Sequence, residues 1–177
     1  GPAYTDPKGN VFGYSPAAPF KDGFSDTLAD VAMHYWKTDL RTETHMVNNV
    51  PTTSSDPAFW QHMVTFGISI GLSGNKGWSS VSQVPPNATW ADPNDTEDAD
   101  RIDDLLHAAV NGHGTFVAAS SPSEFTAGLT QALAAISQRT SSFSNVATNA
   151  ASVRTGGKVF NASYVSGIWT GAVKAWN

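Results

Sequence analysis

The sequence predicts an α/β fold, part of a doubly wound layer of helices on a short sheet, with a β-hairpin at the C-terminal end. Three observations carry this. From His62 to Leu72 the chain sets Val64, Phe66, Ile68, Ile70 and Leu72 at every second position, with uncharged Met63, Thr65, Gly67, Ser69 and Gly71 between them. A strand buried on both faces reads this way. Around it the elements follow in the order helix, strand, helix, short strand, capped helix, as the second half of a doubly wound domain would give. Finally, Val159–Val165 and Ile168–Trp176 flank Ser166-Gly167, as the arms of a hairpin flank its turn.

The alternating segment is expected to be a central strand. One face carries large aliphatics, and the other, lined with Gly and Ser, lets a helix approach the backbone closely. Before it, Ser25 or Asp26 can cap a helix running to about Leu40, with Leu28, Val31, Ala32, Tyr35 and Trp36 as its apolar stripe. His34 beside that stripe reads as a hydrogen-bonded packing residue. After the strand, a helix over 98–110 presents Ile102, Leu105, Leu106, Ala109 and Val110 and stops at Asn111-Gly112. Thr115–Ala118 is a short strand. Ser121-Pro122-Ser123-Glu124 is then a capping box opening a helix to about Gln138, with Phe125, Leu129, Ala132, Leu133 and Ile136 as its stripe.

Residues 1–24 read as an irregular extended segment, pinned by Tyr4, Phe12, Tyr14, Phe20 and Phe24 as packing anchors. Residues 25–140 form the α/β part, 141–157 a Ser/Thr/Asn/Gly-rich linker with an extended stretch near 144–153, and 158–177 the hairpin. A hairpin is not stable alone, so it must pack on the helical part or start another sheet.

Composition narrows the function. At 177 residues the chain holds one substantial core. With no cysteine it has no disulfide framework and no thiol nucleophile. The net charge of −5 is concentrated in Asp92–Asp104, where seven acids face Arg101 alone, leaving +1 for the rest. The basic residues after Glu124 are only Arg139, Arg154, Lys158 and Lys174, too few for a nucleic-acid footprint. No apolar run reaches the roughly 18 residues that would suggest a membrane span. The Gly-Pro start without Met suggests a piece of a longer protein.

Two motifs invite chemistry. Gly67-Ile68-Ser69-Ile70-Gly71 matches the nucleophile elbow of α/β-hydrolases, with His107 and His113 following. That chemistry needs a sharp strand-to-helix turn exposing the hydroxyl, whereas Ser69 sits inside the apolar alternation. Asp92–Asp98 offers carboxylates to a calcium ion, but as an EF-hand loop it puts Glu97 where Gly is needed and Asp103 at the last ligand place. The acids are expected instead to favour the N-terminus of the next helix. The loop over 73–94 carries Trp78 and Trp90, the best candidates for contact with a partner.

Four stretches carry a family resemblance: FSDTLADVAMHYWKTDLR (24–41), NNVPTTSSDPAFWQHMVTFGISIGLSG (48–74), RIDDLLHAAVNGHGTFVAASSPSEF (101–125) and VATNAASVRTGGKVFNASYVSGIWTGAV (146–173). In this order they resemble the PilC/PilY family of type IV pilus tip-associated adhesins and assembly factors, and the pairing of DPAFWQHMVTF with RIDDLLHAAVNG is the specific part.

The resemblance implies that residues up to about 140 are the C-terminal part of a von Willebrand factor A-like domain. The hairpin would then lead toward a β-propeller that lies outside this chain. It implies a non-enzymatic role in pilus biogenesis, surface sensing, attachment and twitching motility. The place implied is the cell surface, at the pilus tip, after export through the periplasm or outer membrane. The partners implied are the remainder of the parent adhesin, minor pilins and a host or surface ligand, with no nucleic acid and no membrane span. The family's adhesion-site motif D-x-S-x-S is absent, since Asp22-Gly23-Phe24-Ser25 has the wrong spacing. Its divalent metal would lie upstream and the propeller calcium downstream, so no cofactor is expected here. The alternative is a small secreted carbohydrate-binding module or serine hydrolase.

Overall fold

A short parallel sheet organises the first part of the molecule, as a computed structural model covering residues 3–5, 9–139, 145–148, 159–165 and 170–176 shows. Strand β3 (Gly67–Ile70) pairs in parallel with β4 (Phe116–Ala119), in register from Gly67↔Phe116 to Ile70↔Ala119. Helix α2 (Asp98–Asn111) makes the crossover between them. The chain divides into two units, Gly1–Thr130 and Gln131–Asn177.

The two faces of β3 divide as the alternation predicts. A Cβ on Gly67 would stand 3.3 Å from Leu105 O and 3.1 Å from the Phe116 ring, so the Gly/Ser face admits α2 at close range. Ser69 shares that face and is buried. On the opposite face, α3 (Pro122–Arg139) lies against Val117, the partner of Ile68: a Cβ on Gly128 would meet Val117 Cγ1 at 2.7 Å.

The expectation of a central, doubly buried strand does not hold. Ile70 is 68% and Leu72 57% exposed, and among the described residues only β4 pairs with β3. β3 is therefore an edge strand in this sheet.

Helix α1 (Leu28–Lys37) starts later than the sequence suggests, and its cap is Thr27. The Thr27 hydroxyl accepts from Asp30 N at 3.2 Å, and Asp30 Oδ2 accepts from Thr27 N at 3.2 Å, a reciprocal capping box. The buried face is Ala29, Ala32, Met33 and Trp36, leaving Leu28, Val31 and Tyr35 exposed.

The phase of α1 is set by α2. Asp104 Oδ2 and Oδ1 accept from the N–H groups of Leu28 and Ala29, and Asn111 Nδ2 donates to Ala29 O, so the alanine face is drawn onto α2. His34 is consequently exposed, its ring edge-on to Tyr35, and is not the packed residue expected. Replacing Thr27 with Ala is expected to cost about 1 kcal/mol, read as a shift in urea midpoint at unchanged slope.

Two apolar clusters fill this unit. One joins Trp90, Ala88, Leu106, Ala109, Val110 and Phe116 beneath the sheet. The other joins Met33, Trp36, Ala58, Phe59 and Trp60, with Tyr4, Phe12, Tyr14 and Phe20 packed against it. Tyr4 and Phe12 come from an antiparallel ribbon, β1 (Ala3–Thr5) with β2 (Val11–Gly13), in a segment expected to be irregular. The Tyr4 hydroxyl donates to Lys37 O and accepts from Asp39 N, tying the ribbon to the end of α1. Tyr4, Phe12, Tyr14 and Phe20 are packing anchors, as expected, whereas Phe24 belongs to neither cluster.

In the second unit, β5 (Asn145–Thr148), β6 (Val159–Val165) and β7 (Thr170–Trp176) form an antiparallel sheet in the order β5-β6-β7. β6 and β7 are the expected hairpin, in register from Val159↔Trp176 to Val165↔Thr170. The expected start of the second arm at Ile168 lies outside the described residues. The Ser166-Gly167 turn and linker residues 149–157 lie outside the described residues.

Candidate functional site

Trp78 and Trp90 come together, but not as an open platform. Their ring centroids stand 5.6 Å apart at 83°, edge to face. Trp90 is only 8% exposed; its indole N–H donates to Pro19 O at 2.7 Å and its face stacks on His107 at 4.1 Å. Trp78 is half-buried against the same cluster. The coplanar exposed rings of a sugar-binding surface are not formed by this pair.

The acidic segment is spent on internal bonds. Asp92 Oδ1 accepts from Asn94 N and Asp95 Oδ1 from Glu97 N, each holding a local turn. Glu97 caps α2 without a side-chain cap bond; its carboxylate, with that of Asp100, accepts from Asn75 Nδ2. Asp103 Oδ2 accepts from Lys76 N at 3.0 Å. Asp98 and Asp100 do sit in the first turn, where the helix dipole favours them. The inward-facing acids add something periodicity cannot show: Asp100 and Asp103 fasten the loop after β3, and Asp104 caps α1. Burial raises the pKa of both Asp103 and Asp104, against the backbone hydrogen bonds that lower it. Among the described residues, no three of His, Asp and Glu stand together as a metal-holding group.

Ser69 is 3% exposed, and its hydroxyl donates to Leu72 O at 2.7 Å. It closes the turn after β3, where Gly71 takes φ 75°, and does not stand out as a nucleophile elbow requires. His113, in the turn before β4, takes φ 51°, stacks on Trp36 at 4.0 Å and on Phe20 at 5.3 Å, and its Nδ1 is 2.7 Å from Ser55 O.

Two buried acid–imidazole pairs escape sequence reading, because their partners are brought together only by the fold. Asp56 Oδ1 accepts from Trp36 Nε1 at 3.1 Å, and its Oδ2 lies 3.2 Å from His62 Nε2. His62 Nδ1 is 2.7 Å from Trp60 O. The side chains of this pair are about 95% buried, which fits struts between α1 and the strand's lead-in.

The second pair is His107 with Asp22, Nδ1 to Oδ2 at 3.3 Å. Burial lowers the His107 pKa, opposed first by the charge of Asp22, then by the Phe20 carbonyl, Asp104 and Asp30. The ring is therefore held neutral against charges that favour its protonation. Its stabilising share is complete above pH 6.5, the ordinary value, and is lost as pH falls from there through the lowered one. The melting temperature is expected to drop between pH 7.5 and 5.5, and His107→Gln should remove that drop.

The likeness to known proteins is specific. The chain is 33% identical over 150 residues, 70% of its length, to the type IV pilus biogenesis factor PilY1 of Pseudomonas aeruginosa strain PAO1. It is 31% identical over 180 residues, covering 86% of its length, to the protein of the same name in strain UCBPP-PA14. The chain belongs to the PilY family.

It spans only 13% to 16% of the length of these PilY relatives. No family model matches the chain, and no solved structure matches it. The relatives are named for pilus biogenesis, not for a reaction. No helix among the described residues is long and apolar enough to cross a membrane. In this PilY segment Asp56, His62, Asp100, Asp103 and His107 are built into the fold, while Leu28, Val31, Tyr35, Met63, Ile70 and Leu72 are among the apolar side chains exposed in the first unit.

Proposed function

We propose that this chain is a structural segment of a type IV pilus biogenesis factor and acts through protein contact, without chemistry of its own. The observation that carries this is the identity over 70% to 86% of the chain with proteins named for that role. The interior positions of Ser69, His62 and His107 support a contact role over a hydrolytic one.

On this reading the helices on the β3–β4 sheet are the closing part of a von Willebrand factor A-like domain, and the three-stranded sheet leads toward a propeller in the parent protein. The parent acts at the cell surface, at the pilus tip, with minor pilins as partners, and contributes to attachment and twitching motility. A metal site of the parent would lie outside this segment, and Trp78 is the tryptophan of the pair with surface left for a partner.

The test is an exchange. In a P. aeruginosa strain lacking its own PilY1, a PilY1 carrying this chain in place of the matching segment is expected to restore sheared surface pilin. A chimera that is exported and folded yet leaves the cells without pili would overturn the reading.

A further inference from the structure

We propose that residues 17–24 form an acid-released strap: protonation of His107 frees them from α2 and uncovers Trp90. The strap lies in the stretch between β2 and α1, which holds neither helix nor strand. Ala17, Ala18, Lys21 and Gly23 are exposed, and the strap is held down through Pro19, Phe20 and Asp22. Pro19 O accepts from the Trp90 indole N–H at 2.7 Å. Phe20 packs against both apolar clusters and stacks on His113 at 5.3 Å, and Asp22 Oδ2 stands 3.3 Å from His107 Nδ1. A segment tied in this way, without a backbone ladder, opens at lower free energy than the helices and sheet around it.

His107 is placed to act as the trigger. Its ring is 1% exposed and lies flat on Trp90, with centroids 4.1 Å apart and planes 10° apart. A neutral imidazole has one N–H to satisfy and an imidazolium has two. The contact with Asp22 is not aligned as a hydrogen bond, and neither ring nitrogen has a well-formed one. Under the closed strap a second N–H would therefore be buried without an acceptor, whereas opening gives it water.

The charged groups that bear on the ring are Asp22 on the strap, Asp104 on α2 itself and Asp30 on α1. All three favour the imidazolium, yet burial outweighs them and lowers the pKa from its ordinary 6.5. The closed form is thus fully favoured above pH 6.5 and gives way as pH falls from there through the lowered value. Asp104 works in the opposite sense. Burial raises its pKa, so its protonation in acid favours the closed form, and the release falls to His107.

Opening changes what the first unit shows to a partner. Trp90 is 8% exposed under the strap, and the departure of Phe20 bares part of the cluster that Trp90 belongs to. That surface is covered near neutrality and aromatic in mild acid, whether or not the pilus reading holds.

Proton exchange in the 177-residue chain tests this, with each rate corrected for its value in an unfolded peptide at the same pH. The Phe20 amide and the Trp90 indole N–H are expected to exchange through an opening nearly insensitive to low urea. Amides in the middle of α2 should instead exchange through the urea-sensitive unfolding of the unit. Between pH 7.5 and 5.5, protection at Phe20 and Trp90 should fall severalfold, and by no more than about tenfold, because pH 5.5 lies one unit below the ordinary imidazole value. His107→Gln should abolish the fall. Asp22→Asn removes a charge that favours the imidazolium and should deepen it, whereas loss of a merely structural contact would lower protection equally at both pH values. Should His107→Gln not fold, the carbon-bound protons of the wild-type ring decide: a titration midpoint below 6.5 is expected, and one at or above it overturns the proposal. So would protection that does not change with pH, or a fall that survives in His107→Gln. Exchange at Phe20 and Trp90 with the full urea dependence of α2 would overturn it too, since the strap would then open only with the whole unit.

Discussion

Gly114→Ala is expected to cost roughly 3–5 kcal/mol, because the added methyl has nowhere to go. Its Cβ would fall 1.9 Å from Thr65 O and 2.7 Å from Thr65 C, both backbone atoms that no side-chain rotation can move. Gly114 N donates to Ala109 O while Thr65 N donates to Gly112 O, so the turn after α2 lies flush against the residue that leads into β3. Relief would require prising β3 from the turn, and with it the bond from Gly67 N to Thr115 O. Gly23→Ala is the control: nothing lies within 4 Å of its Cβ position, and a change within about 0.5 kcal/mol is expected. Equal urea midpoints for the two variants would mean that the contact at Thr65 is not tight in solution.

The same contact shows what the sequence could and could not tell. Asn111-Gly112 is legible as a helix stop, because a C-cap is a local event. The demand on Gly114 is made by Thr65, far away along the chain, and no local pattern announces it. Likewise β3, α2 and β4 follow from periodicity, and the close approach of α2 to Gly67 follows from the small residues on one face of the strand.

The stripe expected on α1 holds for Ala32 and Trp36 but not for Leu28, Val31 and Tyr35, because the helix has two apolar faces, one of Leu28, Val31 and Tyr35 and one of Ala29, Ala32, Met33 and Trp36. Counting large residues favours the first. Close packing on α2, enforced by Asp104 and Asn111, takes the second. The β1–β2 ribbon is hidden for another reason: each strand has three residues, too few for alternation to register, and its pairing is fixed by rings resting on Trp60. Of the candidate contact residues, Trp90 shows most plainly that a tryptophan in a loop sequence need not be a surface tryptophan. Its indole N–H finds Pro19 O and its face finds His107, both distant in sequence.

Trp60→Ala should be as damaging as the glycine variant, with a different signature. The ring is fully buried, with centroids of Tyr4 at 4.7 Å, Phe12 at 4.8 Å, Phe59 at 5.4 Å and Trp36 at 5.5 Å around it. Truncating a buried tryptophan costs about 3–5 kcal/mol in transfer and cavity terms. Its Nε1 also donates to Trp36 O at 2.7 Å, so a carbonyl near the end of α1 loses a partner. Trp60→Phe keeps a ring and loses that bond, and should cost less than the alanine variant. Because Tyr4 and Phe12 rest on this ring, the alanine variant should also release the β1–β2 ribbon, giving protease cuts within residues 9–16 before the β3–β4 sheet is attacked. If instead the ribbon stays protected until global unfolding, its hold must come from the Tyr4 hydroxyl bonds to Lys37 O and Asp39 N, and Tyr4→Phe would then be the variant that frees it.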